Sequence, residues 1–196
     1  MDCTLSPIGK QVSCGLHWLQ PLRTAALHVT TPPQGAAMPL EIRTIPSMRL
    51  ASMRHIGPYG HPALNRLWER FGQWCAENGL AEPRPRFYGI SHDNPARTPP
   101  DQCRYDACVQ IEHDLHPGAE VRVLDFIGCE HACMRFFGTG PEIARAWADM
   151  FAPGKIPAGW APAPRPVLEL YDEHFAVDPN TGRFACWLCV PVQRIG

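Results

Sequence analysis

The stretch LASMRHIGPYGHPALNRLWERF, residues 50–71, is the first evidence for the architecture, because its pattern recurs later in the chain. The second copy, HACMRFFGTGPEIARAWADMF, covers residues 131–151. In each copy a run with strand character meets a turn rich in Gly or Pro and then continues into a helical pattern. Arg54 of the first copy aligns with Arg135 of the second at an offset of 81 residues. The chain is therefore predicted to contain two related units.

The segments that follow the two copies also correspond. RFYGISHDNP at 86–95 matches VLELYDEHFAVDP at 167–179, and RYDACVQI at 104–111 matches RFACWLCVPV at 183–192. Because separate blocks share the offset of 81, each unit is predicted to have the order β–α–β–β.

The predicted elements follow from apolar periodicity and from the breakers between the runs. The first strand, at about 40–56, is interrupted by Pro46, because proline cannot donate to a ladder. The other predicted strands are at 86–92, 104–112, 119–126, 130–137, 166–172 and 183–192, and the predicted helices are at 62–79 and 141–151. Two such units can join into one curved antiparallel sheet with both helices on one face, which gives an α+β fold. The opposite face would form an open concave cleft for a small ligand.

The two units also define the predicted domain organisation. Repeat one covers about 38–113 and repeat two about 118–193, within one domain at 38–196. Residues 1–37 show no persistent period and end in the breaker-rich TTPPQGAA, so we expect a poorly structured N-terminal extension. It is too short for a helix-turn-helix domain with its supporting helices.

Composition excludes several classes of function. The formal net charge is −1, so nothing in it indicates direct binding of nucleic acid. No window holds 18 consecutive apolar residues, so no membrane span is expected. The first 30 residues lack a continuous apolar stretch of the secretory type, and the chain is much longer than a disulfide-stapled scaffold. We therefore expect a cytoplasmic protein with reduced thiols.

The nine cysteines are expected to be mainly structural. Cys186 and Cys189 lie in a strand-like run, where residues three apart point to opposite faces and cannot share a ligand. Cys129, His131 and Cys133 have a spacing that could indicate a metal site, but they also lie in a strand-like context. We expect no metal and no cofactor.

Four motifs together carry a family resemblance. They are MRHIGPYG at 53–60, YGISHDNP at 88–95, RYDACV at 104–109 and LELY at 168–171. In this series the chain resembles the GyrI-like family over about 38–192. That family includes the effector-binding domains of AraC-type and MerR-type regulators and a stand-alone gyrase-inhibitory protein. The resemblance implies a small organic ligand, cationic or aromatic, and as further partners DNA gyrase or a transcription regulator.

Glu169 is the site residue that the resemblance singles out, since a glutamate in the penultimate strand attracts cationic aromatic drugs in multidrug-sensing members. By alternation Glu169 and Tyr171 share one face of their strand, while Leu168 and Leu170 share the other. The leucines suit the helix-covered face better, so Glu169 and Tyr171 are predicted to face the open cleft. The alternative is an ordinary solvent-facing glutamate.

Four further side chains are candidates for the walls of this site: Tyr88, Trp187, Phe137 and His55. Tyr88 is the repeat partner of Glu169 at offset 81 and is predicted to line the opposite wall. For Tyr88 and Trp187 a position in the core is an equal alternative, and His55 is also explained by a structural role. Trp68 and Trp147 lie on apolar helical stripes and are predicted to be core.

Three hypotheses for function follow. The first is binding of a cationic or aromatic drug or toxin by a sensing module that stands alone, as the resemblance implies. The second, which rests on the resemblance alone, is inhibition of DNA gyrase by protein contact. The third is hydrolysis of strained cyclopropane-containing toxins, which the resemblance also allows, with Glu169 as general acid or base. No catalytic residue is assigned otherwise.

Overall fold

The computed structural model describes residues 40–60, 62–81, 85–113, 115–173 and 175–196. The predicted extension at 1–37 lies outside these residues. The helices are α1 (Pro62–Glu77) and α2 (Gly140–Met150). The strands are β1 (Glu41–Ile45), β2 (Met48–Ile56), β3 (Phe87–Ser91), β4 (Arg104–Gln110), β5 (Val121–Phe126), β6 (Cys129–Gly138), β7 (Trp160–Pro162), β8 (Val167–Tyr171) and β9 (Phe184–Arg194). A 3-10 turn at Pro100–Gln102 and the short strand β7 were not predicted.

The first predicted strand is two strands, because Pro46 lies in the break between β1 and β2. The two pieces go to different places. β2 pairs with β4 and β5, whereas β1 pairs with β6 of the second unit. β5, the first strand of the second unit, pairs with β2 of the first in the same way. Each unit is therefore ββαββ, and the two units exchange their first strands.

The order of strands across the sheet reflects the duplication. β3 and β8 pair at its centre, and outward from them lie β4 and β9, then β2 and β6, then β5 and β1. Equivalent strands of the two units therefore lie at equal distances from the centre. All ladders are antiparallel, and β7 adds to the end of β9. The prediction of one antiparallel sheet is confirmed.

The register at the centre corrects the predicted repeat alignment. Gly89 of β3 pairs with Glu169 of β8, and Tyr88 pairs with Leu170. Paired residues share a face of the sheet, so Tyr88 and Glu169 point to opposite faces. In this strand pair the structural correspondence therefore differs by one residue from the offset of 81. A shift of one residue moves every side chain of a strand to the other face. The prediction that Tyr88 lies opposite Glu169 is wrong.

Both helices cover the same face of the sheet, as predicted. α1 buries an apolar stripe, Leu67, Phe71 and Cys75, against β2 and β4 residues such as Met53 and Val109. Its C-terminal turn ends at Gly79 with φ +70°, a left-handed conformation that glycine adopts without strain. α2 begins at a capping box in which the Thr139 backbone N–H donates to the Glu142 carboxylate at 2.7 Å.

The opposite face of the sheet carries a second, smaller apolar cluster, with Leu50, Tyr88, Ile90, Leu168, Cys133 and Cys189 buried in it. Cys186 belongs to the helix-covered face and Cys189 to this one, so the prediction that they point apart is confirmed. In the described part of the chain, no helix has the length and apolar character needed to cross a membrane.

Candidate functional site

Glu169 lies between the sheet and the helices, not on the open face. Its neighbour in alternation, Tyr171, packs in the same cluster as α1 residues, and Trp147 of α2 donates to its carboxylate. Leu168 lies in the cluster on the opposite face. The prediction that Glu169 and Tyr171 face away from the helices is therefore wrong. Alternation showed which residues share a face, but apolarity of the leucines misidentified the face that the helices cover.

Three side chains hold the Glu169 carboxylate. The hydroxyls of Tyr105 and Tyr171 both donate to Oε2 at 2.7 Å. The indole N–H of Trp147 donates to Oε1 at 3.3 Å. Glu169 itself is 6% exposed. These donors come from β4, β8 and α2, so the carboxylate joins both units of the fold.

Aromatic rings surround this carboxylate. Trp68 of α1 lies edge-on to Tyr171, with 5.4 Å between ring centroids, and to Tyr105 at 6.3 Å. Phe175 contacts the other side of Tyr171 at 4.6 Å. The rings supply negative π-faces and apolar surface next to an anion, which is an arrangement suited to an organic cation.

Gly89 provides the space for this arrangement. A Cβ atom built at position 89 would collide with the Tyr105 hydroxyl and lie 2.5 Å from Glu169 Oε2. Only a residue without a side chain fits beneath the two groups. A glycine inside a strand often marks such a close approach.

Within the described part of the chain, the hydrogen-bond donors to Glu169 carry no formal charge. Among the described residues no arginine, lysine or histidine forms an ion pair with it, and its donors are the neutral groups of Tyr105, Tyr171 and Trp147. Burial and the nearby Glu169 charge raise the pKa of Tyr105 and of Tyr171 well above the ordinary value. Both phenols therefore remain protonated donors at neutral pH.

The structure divides the predicted site residues between the two faces. His55 pairs with Tyr105 in the β2–β4 ladder, so it shares the helix-covered face with Glu169 and Tyr171. Tyr88 and Trp187 lie together in the cluster on the opposite face. Phe137 is also on that face, with the Arg183 guanidinium 5.5 Å from its ring centroid. Of the six residues, only Glu169 and Tyr171 are hydrogen-bonded to each other.

Five residues of the Glu169 environment were not among the predicted site residues: Tyr105, Trp147, Trp68, Phe175 and Gly89. Trp68 and Trp147 were predicted to be core, and Trp68 does pack in the core while also contacting both tyrosines. The close approach at Gly89 could have been predicted from the sequence, since a glycine within an apolar strand often indicates that another group lies close to the backbone. Tyr105 lies in the RYDACV motif, but only the tertiary fold shows that its hydroxyl reaches Glu169.

Comparison with protein families matches residues 38–193 to the family described as the GyrI-like small molecule binding domain. The chain belongs to this family. The resemblance to the GyrI-like family is confirmed, and the domain is a GyrI-like small-molecule-binding domain. A curated relative is YosT, an SPbeta prophage-derived protein of Bacillus subtilis whose name describes a transcriptional regulator. It is 29% identical over 115 residues, which is 59% of this chain and 76% of YosT.

Solved structures share the fold. The C-terminal domain of EcmrR aligns with a TM-score of 0.62 at 12% identity, over 82% of this chain and all of that domain. In the complex of EcmrR with DNA, the match spans only 57% of the EcmrR chain. SAV2435, solved with tetraphenylphosphonium bound, aligns with a TM-score of 0.53 at 14% identity, over 80% of this chain and 94% of SAV2435. A hydrolase from Listeria innocua aligns with a TM-score of 0.51 at 15% identity, over 82% of this chain and 94% of that protein.

Proposed function

We propose that the domain binds aromatic organic cations between its sheet and its helices, with Glu169 as the anionic anchor. The observation that carries this proposal is a buried carboxylate held by three neutral donors. A buried charge without an opposite charge is costly, and a cationic ligand would offset that cost. The same burial strengthens the attraction, because the effective dielectric constant is lower than in water.

The aromatic side chains favour a cation with rings of its own. Trp68, Tyr105 and Tyr171 present ring edges and faces around the carboxylate, and Phe175 and Trp147 extend this apolar surface. Aromatic ligands would gain ring contacts here beyond simple burial of area. The tetraphenylphosphonium bound to SAV2435 has both features, a positive charge and aromatic rings.

Trp147 is the side chain that we expect to move away from Glu169 when a ligand binds. Its bond to Glu169 is 3.3 Å long, against 2.7 Å for each tyrosine bond. It also stands on α2, in which Met150 is the buried residue, whereas α1 buries Leu67, Phe71, Gly72 and Cys75. A movement of α2 or of Trp147 alone would free Oε1 at little cost in buried apolar area, while the tyrosines keep Oε2 in place.

Calorimetric titration with tetraphenylphosphonium tests the proposal. The wild-type chain should bind this cation and should bind neutral triphenylphosphine oxide at least tenfold more weakly, since the two share aromatic rings but differ in charge. Glu169→Gln should lower the affinity for the cation at least tenfold, a loss of about 1.4 kcal/mol. Equal affinity of wild type and Glu169→Gln, or of the two compounds for the wild type, would contradict the proposal.

Glu120→Gln is the matched control for this titration. Glu120 makes an exposed ion pair with Arg70 at 2.7 Å, and its side chain is 65% exposed. The variant removes the same charge from the protein without touching the Glu169 environment. Its affinity for tetraphenylphosphonium should equal that of the wild type, so an equal loss in both variants would point to long-range charge and away from a Glu169 anchor.

Inhibition of DNA gyrase and hydrolysis of strained-ring toxins stay predictions from the sequence. A supercoiling assay with excess protein tests the first. Product analysis with a cyclopropane-containing alkylator, comparing wild type and Glu169→Gln, tests the second.

A further inference from the structure

A cavity lies on the face of the sheet opposite Glu169. Its volume is about 420 Å³, which is in the range of sites for small molecules. Tyr88, Leu170 and Trp187 contribute apolar and aromatic wall, and Arg43 and Arg86 also line it. The guanidinium of Arg43 lies 4.2 Å from the centroid of the Trp187 ring, which holds this wall in place.

Two thiols line the same cavity. Cys133 of β6 and Cys189 of β9 are directly opposite each other in the antiparallel ladder. Both are free thiols with at most 1% exposure, and their sulfur atoms are 3.0 Å apart. Because ladder bonds hold both strands around this position, the two sulfur atoms are kept side by side.

We propose that this cavity binds trivalent organoarsenicals, which Cys133 and Cys189 chelate together. An arsenic(III) oxide R–As=O condenses with two thiols to give R–As(S–)₂ and one molecule of water. Two As–S bonds form, the As=O bond breaks, and the two thiol protons leave with the oxygen. No electron is transferred, so the step needs neither an oxidant nor a reductant.

The geometry favours this class of ligand over a metal ion of the zinc type. Zinc in proteins takes three or four protein ligands. Within the described residues no group of three or more His, Cys, Asp or Glu side chains is placed to hold a metal. His131, two residues before Cys133, directs Nδ1 to the Cys129 carbonyl oxygen at 2.9 Å. The two cysteine sulfur atoms are therefore the donors at this site. Two thiols are the number that a trivalent arsenic atom with one organic substituent binds.

The cavity walls can accept the organic group. Trp187 and Tyr88 lie in the same apolar cluster as the two thiols. Leu170 is on β8, between the strand of Trp187 (β9) and the strand of Tyr88 (β3). An aryl substituent on arsenic would contact these side chains. The thiol of Cys133 and burial together raise the pKa of Cys189 well above its ordinary value, so the reaction should be slow and the chelate, once formed, long-lived.

The test uses phenylarsine oxide and the full, pre-reduced chain. After one equivalent of the reagent, the protein is unfolded, unreacted thiols are alkylated, and peptides are mapped by mass spectrometry. Cys133 and Cys189 should be protected together, and a dithiol should reverse the protection at least tenfold faster than a monothiol. Protection of another pair, or of neither cysteine, would overturn the proposal.

Substitutions sharpen this test. Cys133→Ser and Cys189→Ser should each abolish the stable adduct, because one thiol cannot chelate. Cys108→Ser is the matched control, since Cys108 is buried in the same cluster but faces Ser52 and Tyr88 across its ladders. An adduct that survives in Cys133→Ser would contradict the proposal. If a serine variant does not fold by circular dichroism, the wild-type protection map decides alone.

Discussion

Asp106 and Glu169 are two buried carboxylates on opposite faces of one sheet, and their partners differ in charge. Asp106 has 0% exposure and accepts from Arg54 at 2.7 and 2.8 Å and from Arg122 at 2.7 Å. His92 Nε2 lies 2.6 Å from the same carboxylate. Glu169 has a similar degree of burial, but its donors are neutral.

Asp106 and its partners Arg54, Arg122 and His92 form a cluster, the Asp106 cluster, that stabilises the fold. Arg54 is on β2, Asp106 on β4 and Arg122 on β5, so the cluster fastens three adjacent strands. Burial alone would raise the pKa of Asp106, but the hydrogen bonds from His92 and Arg54 outweigh it and hold the pKa below the ordinary value of 3.8. The charge of Asp106 is thus already compensated within the fold.

Glu169 shows the opposite arrangement. Its hydrogen-bond donors are neutral, and aromatic rings lie around them. Burial of an acid therefore does not by itself mark a binding site. The charge of the partners separates a carboxylate that completes the fold from one that is available to a ligand.

Asp106→Asn should have the largest effect on stability. The substitution removes the negative charge between Arg54, whose side chain is 25% exposed, and the exposed Arg122. The partly buried guanidinium of Arg54 then lacks a carboxylate partner at this position. We expect a loss of about 3 kcal/mol in the free energy of unfolding, measured by urea denaturation. The control is Asp125→Asn, at a carboxylate that is 84% exposed, which should change stability by less than about 0.5 kcal/mol. Equal effects of the two variants would contradict a structural role for the cluster.

Gly89→Ala should come next. The new methyl group would overlap the Tyr105 hydroxyl and crowd Glu169, so these side chains must shift. We expect a loss of about 2 kcal/mol in stability by urea denaturation, together with weaker binding of tetraphenylphosphonium. Gly140→Ala is the control, because a Cβ there meets no atom within 4 Å. If both alanine variants keep wild-type stability and affinity, the close approach at Gly89 has no importance.

Glu169→Gln should separate binding from stability. Glutamine keeps the shape and an acceptor for the two tyrosine hydroxyls, and it removes the cost of burying a charge. We expect the free energy of unfolding without ligand to change by about 1 kcal/mol or less, while affinity for the cation falls as described above. A destabilisation as large as that of Asp106→Asn would show that the Glu169 carboxylate is also needed for the stability of the fold.

The smallest expected effect is a difference in acid sensitivity. Because the pKa of Asp106 is lower in the folded than in the unfolded state, its contribution is present above the unfolded pKa and is lost as the pH falls towards the folded pKa. The stability gap between wild type and Asp106→Asn should therefore shrink by about 1 kcal/mol between about pH 5 and about pH 3. Urea denaturation at both pH values measures the gap, and a gap that widens in acid would contradict the assignment.

Most of the helices and strands, the duplication and the family were predicted correctly from the sequence. The local signals include the breakers Pro46 and Gly79 and the apolar stripe of α1. Because such signals act over a few residues, they predicted the ends of these strands and helices to within a few residues of the observed ends. The recurring stretches at 50–71 and 131–151 also showed that each helix follows a strand of the same unit. Strand alternation correctly paired Glu169 with Tyr171.

The face that these residues occupy and the side chains that they contact depend on the tertiary fold. Alternation has a period of two and carries no information about which face the helices cover. The register between β3 and β8, one residue away from the repeat offset, depends on pairing between distant segments and moves Tyr88 to the far face. The approach of Tyr105 and Trp147 to Glu169 likewise joins residues 64 and 22 positions apart. Such contacts arise from packing of the whole sheet against both helices, which no local pattern encodes.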